Sequence, residues 1–361
     1  MNADFLSRRQ KLRHAMVSAS IDTALITGEA GLRYLTGIAP SDAHGGILVL
    51  SSVRDTLLLR EKGTGTPAIA HGICPRFYSS DEEMGRLLSP LLKGIVAAEK
   101  DALPPLLGEQ LSLSGAALRD LTPLLSDLRI YKDPAELAAL EEACQRTDRI
   151  LSRWRQALRP GATEEALLHK LHEISRDFGV SESCPGILIA SGPNSSLPHG
   201  GNTTRPLQPG DPIFIDCGAR WQGYYCDITR TFFLGAPDQE MRKVYQTVLE
   251  AQQAAITAIR PGISVGEVDA AARHVIESAG YGPYFTHRTG HGLGLAVHES
   301  PSVGPGGDQK LSCGMVITVE PGIYLPGRWG VRIEDDVVVE QKGARILNRF
   351  PKELSDMVIP L

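Results

Sequence analysis

"LRPGATEEALLHKLHEI" (residues 158–174) and "IRPGISVGEVDAAARHVI" (residues 259–276) are two copies of one pattern, and together they decide the architecture of the chain. Each copy contains a helix end, a Pro-Gly break and then a capped second helix. The second copy starts 101 residues after the first. Such a repeat predicts that the C-terminal part of the chain folds as two related helix-and-strand halves.

A second pair of segments has nearly the same offset. "LQPGDPIFIDCG" (residues 207–218) is matched 104 residues later by "LSCGMVITVEPG" (residues 311–322). Both read L-x-x-G, then a mostly apolar run, then an acid, with a glycine two places later. Asp216 in the first copy therefore corresponds to Glu320 in the second. Two pairs at nearly one offset predict a domain with pseudo-twofold symmetry.

Composition and charge limit the class of protein. The 361 residues are enough for two domains, and a chain with 42% hydrophobic and 22% charged residues is in the range of globular proteins. A formal net charge of -5 offers no basic surface to nucleic acid. No apolar run approaches the roughly 20 residues that span a bilayer. We therefore expect neither a nucleic-acid partner nor a membrane partner.

The N-terminal sequence bears on localisation. "MNADFLSRRQKLRHAM" (residues 1–16) is charged and amphipathic, and it lacks an apolar segment followed by a small-residue cleavage site. We therefore expect a cytoplasmic protein. The six cysteines form no C-x-x-C pair, so reduced, structural thiols are expected.

Patterning divides the chain near residues 128–134. The N-terminal part predicts a helix from Phe5 to about Ala19, followed by the strands "TALIT", "GILVLSS" and "DTLLLRE". Asp133-Pro134 is a helix-start signal, and leucines recur at helical spacing behind it. We therefore expect domains at residues 1–130 and 131–361.

Four acids stand where apolar strand patterns begin or end: Asp216, Asp227, Glu320 and Glu334. Each acid taken alone could be a strand-end residue that meets an arginine or a backbone N–H. A buried carboxylate nevertheless costs several kcal/mol unless it is paired or coordinated. A pseudo-twofold domain would bring all four together, with a repulsion of about 1–4 kcal/mol per pair at ~4 Å. Two divalent cations would offset that repulsion.

The chemistry of this donor set indicates the metal and the reaction. Oxygen-rich ligation with one imidazole favours manganese or cobalt over a cysteine-type zinc site, although zinc can also occupy such a shell. Two neighbouring metal ions can ionise a water molecule and polarise a carbonyl group. The pattern therefore predicts a hydrolase.

"THRTGHGLGLAVHES" (residues 286–300) contains three of the ten histidines, His287, His291 and His298. The first two are four residues apart, which is the spacing of a helical zinc site. Three glycines among them disfavour a helix. We therefore expect an extended segment in which His291 alone faces the metals.

The settings "FIDCG", "CDITRTF", "GHGLG", "VEPGIY" and "VRIEDD" resemble the ligand motifs of the pita-bread metallopeptidases, a superfamily that includes methionine aminopeptidase, aminopeptidase P and prolidase. The resemblance covers roughly residues 132–361, and "GLRYLTG" (residues 31–37) resembles the N-terminal domain of the creatinase/prolidase branch. It implies an α+β protein with a small N-terminal creatinase-like α/β domain and a C-terminal pita-bread catalytic domain.

The resemblance also implies a role for each site residue. Asp216 would bind one metal, His291 and Glu320 the other, and Asp227 and Glu334 would bridge the two. Glu320 would also be the proton shuttle. Arg332 and Thr229 would orient Asp227. The substrate-side histidines, which hold the scissile carbonyl, would be His199, His287 and His298. Two divalent ions per subunit and a homodimer are implied as well.

The implied reaction is hydrolysis of the bond before proline in a peptide. We expect a dipeptidase, with an aminopeptidase P acting on longer peptides as the alternative. Ser302 stands where compact microbial prolidases commonly have an arginine that pairs with the dipeptide carboxylate. The loop "GIAPSDAHGG" (residues 37–46) of a partner subunit, Arg288 or Arg328 could replace it.

Three rival functions follow from the same resemblance. A creatinase-like hydrolase without metal lacks the set of five ligands, which this chain has. A related enzyme could act on another C–N or C–S bond. A non-catalytic peptide-binding module typically has lost metal ligands, whereas all five are present here.

Overall fold

The computed structural model describes residues 4–38, 46–52, 54–61, 69–113, 118–180 and 186–361. The chain divides into two compact units, Met1–Arg129 and Ile130–Leu361. Residues 39–45 of the loop "GIAPSDAHGG" lie outside the described residues. Across the part of the chain that is described, no helix has both the length and the apolar character needed to cross a membrane.

The N-terminal unit is a mixed α/β structure. Its helices are α1 (Phe5–Ser18), α2 (Glu29–Thr36), α3 (Asp81–Leu88), α4 (Pro105–Leu113) and α5 (Thr122–Arg129), with 3₁₀ turns at Ser89–Leu91 and Lys100–Ala102. Its strands are β1 (Thr23–Ile26), β2 (Ile47–Ser51), β3 (Asp55–Arg60), β4 (Ile73–Tyr78), β5 (Val96–Ala98) and β6 (Leu118–Asp120). The predicted N-terminal helix and the first three predicted strands are all present.

One six-stranded sheet organises this unit, in the order β4-β3-β2-β1-β5-β6. The pairs β1–β2 and β2–β3 are antiparallel, and the other three pairs are parallel. Leu25, Val49 and Leu58 project from successive strands into one buried cluster, which helices α3 and α4 complete with Met84 and Leu107. Burial of these apolar side chains is what holds the unit together.

The C-terminal unit contains the remaining elements. Its helices are α6 (Pro134–Trp154), α7 (Glu164–Asp177), α8 (Gln239–Ala258), α9 (Val265–Ser278) and α10 (Leu354–Met357), with 3₁₀ turns at Arg155–Ala157, Gly192–Ser196 and Gly282–Tyr284. Its first strands are β7 (Leu188–Ser191), β8 (Pro212–Cys217), β9 (Arg220–Trp221), β10 (Tyr224–Tyr225), β11 (Ile228–Leu234), β12 (Gly290–Gly292) and β13 (Glu299–Val303). The last strands are β14 (Val316–Val319), β15 (Gly322–Leu325), β16 (Trp329–Arg332), β17 (Asp335–Glu340), β18 (Gly343–Ile346) and β19 (Val358–Ile359).

The internal repeat is visible in the structure. Helices α7 and α9 have 14 residues each, and each is capped as predicted, by Thr163 or Ser264, whose side chain accepts a backbone N–H of the first turn. The two caps also form equivalent isolated bridges, Thr163 with Pro206 and Ser264 with Lys310. The same local chemistry therefore fixes the same turn in both halves.

Two antiparallel hairpins form the centre of the two halves. Strands β7, β8 and β11 are neighbours in a four-stranded sheet, and β12, β14 and β17 occupy the same positions in a five-stranded sheet. The halves differ at the strand that follows, because β19 runs parallel to β11 whereas β18 is antiparallel to β17. The pseudo-twofold relation therefore holds for the strands that carry the acids.

A buried arginine joins the two halves. Arg230 on β11 is 1% exposed, and its Nη2 donates to Asp335 Oδ1 on β17 at 2.7 Å. Its other donors reach the carbonyl oxygens of Glu334 (2.6 Å), Phe350 (2.8 Å) and Pro351 (2.9 Å). Asp335 Oδ2 also accepts from Lys352 Nζ at 2.5 Å, so the guanidinium group is the more deeply buried of two cations that balance this acid.

We expect Arg230→Met to lower the free energy of unfolding by about 3–5 kcal/mol, because Asp335 loses the more deeply buried of its two cationic partners and three buried carbonyl oxygens lose a charged donor. Arg328→Met is the matched control, since Arg328 pairs with Glu240 at the surface, where an ion pair contributes about 0–1 kcal/mol. Urea denaturation of both variants measures the difference. Equal effects of the two substitutions would contradict the role of Arg230.

Candidate active site

The two central hairpins place the four acids. Asp216 lies on β8, opposite Thr229 of β11, and Asp227 directly precedes β11. Glu320 directly follows β14, and Glu334 directly precedes β17. Each hairpin therefore carries one acid where its first strand ends and one where its second strand begins. This is the convergence that the sequence repeat predicts.

His291 is the middle residue of strand β12, so the segment is extended as predicted and the helical zinc motif is excluded. Its two glycine neighbours have a steric reason. A Cβ on Gly290 would lie 2.1 Å from the Thr318 carbonyl oxygen, and one on Gly292 would lie 2.1 Å from that of Ser300. Only glycine permits the neighbouring backbone to approach this closely. His291 therefore lies on a strand that packs closely between β13 and β14.

The imidazole of His291 faces the acids. Its Nε2 lies 3.8 Å from Asp227 Oδ2 and 3.5 Å from Glu320 Oε1. Potential ligand atoms of Asp227, His291 and Glu334 all lie within 4.8 Å of one another. The Nδ1 of His291 is 3.0 Å from the Gly292 carbonyl oxygen, which only accepts, so Nδ1 carries the proton. The lone pair of Nε2 is therefore free for a metal.

The electrostatics of the centre fit divalent cations. Burial, and next the neighbouring carboxylates, raise the pKa of Asp227 and Glu334 well above the usual range. Burial also raises the pKa of Glu320 to about 8. For His291 burial acts in the opposite direction and lowers the pKa to about 4, which keeps the imidazole neutral. Surplus carboxylates beside a neutral imidazole form a donor set suited to hard or borderline divalent metals.

The expectation that Arg332 and Thr229 orient Asp227 needs correction. Among the described residues, the side-chain hydrogen bonds of these two reach other acids: Arg332 Nη2 donates to Asp216 Oδ2 at 2.6 Å, and Thr229 Oγ1 donates to Glu334 Oε2 at 2.6 Å. The cause is geometric. Arg332 lies on β16 beside β8, and Thr229 lies on β11 next to the start of β17. Arg332 Nε also donates to Thr229 Oγ1 at 3.1 Å, so the two form one network.

His287 belongs to the same network. Its Nδ1 lies 2.7 Å from the Arg288 carbonyl oxygen and is therefore protonated, so its Nε2 accepts from the Tyr324 hydroxyl at 2.9 Å. Tyr324 accepts in turn from Arg332 Nη1 at 2.8 Å. Burial, and then the charge of Arg332, lower the pKa of His287 to about 4. A neutral His287 bonded in this way has no ring N–H available for a substrate carbonyl.

The other two substrate-side candidates lie at the open side of the site. The rings of His298 and His291 meet edge to face, with centroids 4.3 Å apart, and His298 is exposed. His199 is exposed as well, and it lies close enough to His287 for its charge to contribute to the lowered pKa of that residue. The geometry therefore leaves His298 and His199, rather than His287, free to meet a ligand.

Tyr324 and Asp336 also form hydrogen bonds in the site, and neither was predicted from the sequence. Tyr324 links Arg332 to His287, although it stands inside the motif "VEPGIY". Asp336 accepts the backbone N–H of Asp227 at 3.0 Å, although it stands inside "VRIEDD". The repeat could have indicated Asp336, because Asp336 follows Glu334 by two positions, as Thr229 follows Asp227.

Comparison with known proteins identifies the family. Residues 138–341 match the family model of metallopeptidase family M24, and residues 8–131 match that of the creatinase/prolidase N-terminal domain. The first match covers more than half of the chain. The chain belongs to metallopeptidase family M24. The predicted α+β fold, with a creatinase-like domain before the catalytic domain, is thereby confirmed.

Relatives of this M24 metallopeptidase match nearly its whole length. A curated Xaa-Pro dipeptidase of Pyrococcus furiosus is 32% identical over 354 residues, which cover 96% of this chain and 99% of the relative. A solved Xaa-Pro dipeptidase from Bacillus anthracis has a TM-score of 0.92 at 32% identity, covering 99% of this chain and 100% of that one. A solved X-Pro aminopeptidase from Thermotoga maritima has a TM-score of 0.86 at 30% identity, covering 97% and 99%.

We expect metal uptake by the metal-free M24 protein to release protons at neutral pH. Glu320, with its pKa raised to about 8, holds a proton there, and the raised pKa values of Asp227 and Glu334 add to the effect. Metal ligands bind deprotonated, so about one proton or more should leave per subunit. Calorimetric titration with Mn²⁺ in buffers of different ionisation enthalpy counts these protons.

Glu320→Gln is the control for this count, because an amide holds no titrating proton at that position. The variant should release about one proton fewer than the parent chain. An observed binding enthalpy that is the same in every buffer would contradict the protonated state of the metal-free site.

Proposed function

We propose that this M24 metallopeptidase is a dinuclear Xaa-Pro dipeptidase. The observation that carries the proposal is the convergence of Asp227, His291 and Glu334 at one buried centre, with Asp216 and Glu320 on the same pair of hairpins. Full-length similarity to Xaa-Pro dipeptidases supports the substrate class. Domains at residues 1–130 and 131–361, with the catalytic centre in the second, are part of the proposal.

The proposed ligand roles are those that the family resemblance implies, and the burial of the acids supports them. Asp227 and Glu334 are 7% and 2% exposed and would bridge two metal ions from the inside. Asp216, whose side chain is 29% exposed, would bind one ion, and His291 and Glu320 would bind the other. Manganese or cobalt suits this set, and zinc can also occupy it. The ions, when bound, would supply an activated water and polarise the scissile carbonyl group.

The protein's own groups would handle protons and the substrate carbonyl. Glu320, which lies 3.5 Å from His291 Nε2, would accept a proton from the attacking water and return it to the leaving imino nitrogen of proline. His298 adjoins His291 and can donate a hydrogen bond to the carbonyl oxygen as negative charge develops there. His199 would contact the substrate at the open side.

Arg288 is proposed to select dipeptides. Its Nη1 donates to Ser302 Oγ at 2.6 Å. Its guanidinium group therefore reaches residue 302, the position at which compact microbial prolidases commonly have an arginine. Arg288 is exposed and its charge acts on His291 and Glu320, which indicates that it lies at the mouth of the metal centre. Arg328 is the weaker candidate, because both oxygens of Glu240 already engage its guanidinium at 3.0 and 2.6 Å.

An aminopeptidase P activity is the alternative. The likeness to the solved X-Pro aminopeptidase of Thermotoga maritima, over 97% of this chain, favours it. The two activities differ in whether the residue after the scissile bond must carry a free carboxylate.

Two further features belong to the proposal. A cytoplasmic location is supported by the free thiols of the described cysteines, Cys74, Cys144, Cys217, Cys226 and Cys313. A homodimer is proposed from the family resemblance.

A substrate panel tests the proposed function. We expect the metal-loaded protein to hydrolyse Ala-Pro, to leave Ala-Pro-Ala and longer peptides uncut, and to lose activity after EDTA treatment until Mn²⁺ or Co²⁺ is restored. Cleavage of the longer peptides would reassign the protein as an aminopeptidase P. A protein that binds peptide but cleaves none of them would refute the enzyme assignment.

Arg288→Ala should raise the KM for Ala-Pro by about 10–100-fold, because a charge-assisted hydrogen bond contributes about 1.5–3 kcal/mol. The KM for the amide of Ala-Pro, which has no free carboxylate, should change little. Arg328→Ala is the control and should leave both values near those of the parent. An equal rise for the acid and the amide would refute carboxylate recognition by Arg288.

A further inference from the structure

The two halves of the catalytic unit hold each other's acids. Thr229 follows Asp227 by two positions, and its carbonyl oxygen accepts the backbone N–H of Glu334 at 3.1 Å while its Oγ1 donates to Glu334 Oε2 at 2.6 Å. Asp336 follows Glu334 by two positions, and its Oδ2 accepts the backbone N–H of Asp227 at 3.0 Å. The contacts are crossed, and each runs from one half to the acid of the other.

We propose that Asp336 is a positioning residue that fixes the backbone of Asp227 in the place where its carboxylate can bind both metals. The inference rests on the proposed role of Asp227 as the bridging ligand. Thr229 of the first half contacts Glu334 of the second half through both its backbone carbonyl oxygen and its side chain. In the second half the side chain of Asp336 makes the corresponding contact with the Asp227 backbone.

Asp336 is itself held in one position. It is 0% exposed, its backbone N–H donates to Asn348 Oδ1 at 2.7 Å, and the Cys144 thiol donates to its Oδ2 at 3.3 Å. On strand β17 it lies opposite Thr318, whose hydroxyl donates to Glu320 Oε1 at 3.2 Å. The oxygen that holds Asp227 is therefore anchored by the same strands that carry Glu320 and Glu334.

Only one of the two carboxylate oxygens of Asp336 performs this role. Within the described residues, Oδ1 is buried and has no hydrogen-bond partner. The hydrogen bond from Asp227, rather than the full charge of the carboxylate, is then the feature that matters. An amide can supply the same acceptor, and its nitrogen would take the place of Oδ1, where there is no donor to lose.

Two variants separate the hydrogen bond from the volume of the side chain. Asp336→Asn keeps an acceptor for the Asp227 N–H, whereas Asp336→Leu fills similar space without one. We expect the asparagine variant to bind Mn²⁺ within about threefold of the parent affinity, and the leucine variant to lose about 10–100-fold, the usual loss when a partner of a metal ligand is removed. Calorimetric titration of the metal-free full chain measures both.

A purely structural role would lower stability and leave metal affinity unchanged. Asp148 provides the matched control, because its carboxylate, like that of Asp336, accepts from the backbone, in this case from the N–H groups of Arg349 at 2.7 Å and Phe350 at 3.1 Å. Asp148→Leu should lower the urea midpoint of unfolding and leave Mn²⁺ affinity at the parent value. If Asp336→Leu does not fold, Asp336→Ala replaces it, with the same expected loss of affinity.

The outcomes distinguish this inference from the proposed function. Parent affinity in the leucine or alanine variant overturns the positioning role, and so does equal loss in the asparagine variant, since the charge would then matter. Asp227→Ala is measured beside them and should lose both metals. Normal metal binding by that variant would refute the proposed ligand set itself, whereas its loss together with unaffected Asp336 variants would refute only the inference.

Discussion

Repulsion among carboxylates in a buried centre is the constraint on which the catalytic unit depends. Each of the four acids is held by a hydrogen bond: Asp216 accepts from Arg332, Glu334 from Thr229 and Glu320 from Thr318, and the backbone N–H of Asp227 donates to Asp336. These contacts hold the acids in place but do not neutralise the group, and the pKa values of the inner acids remain raised, chiefly by burial. The remaining charge faces inward, where only cations or protons can balance it.

The pseudo-twofold repeat is an efficient way to build such a centre. A hairpin delivers two acids from strands whose backbone is already fixed by pairing, and a second, related hairpin delivers two more. Geometry held by strand pairing is more precise than geometry held by loops. The halves then diverge in detail. Asp216 stands at the position equivalent to Glu320, and Thr229 stands at the position equivalent to Asp336. Equivalent positions in the two halves therefore carry different side chains.

The sequence was most informative where local rules decide the outcome. The capping residues Thr163 and Ser264, the Pro-Gly breaks and the glycines beside His291 each act within a few residues, and each predicted element is present. The partners of Arg332 and the tautomer of His287 could not be predicted in this way. They depend on which side chains meet across more than a hundred residues or through the hydroxyl of Tyr324. The buried pair of Arg230 and Asp335 is another contact of that kind.

Ser302 shows why a motif read position by position can mislead. The absence of an arginine at position 302 would remove carboxylate recognition only if the charge had to come from that position. Strand pairing sets His291 opposite Ser302, and the chain just before β12 brings Arg288 to the same serine. A dipeptide carboxylate requires a guanidinium group within hydrogen-bonding distance, and a neighbouring segment of the chain can supply that group. Gly304 leaves room for this path, because a Cβ there would lie 2.7 Å from Arg288 Cγ. Under the proposed function, carboxylate selection would then depend on how strand pairing places Arg288, and not on the identity of residue 302 alone.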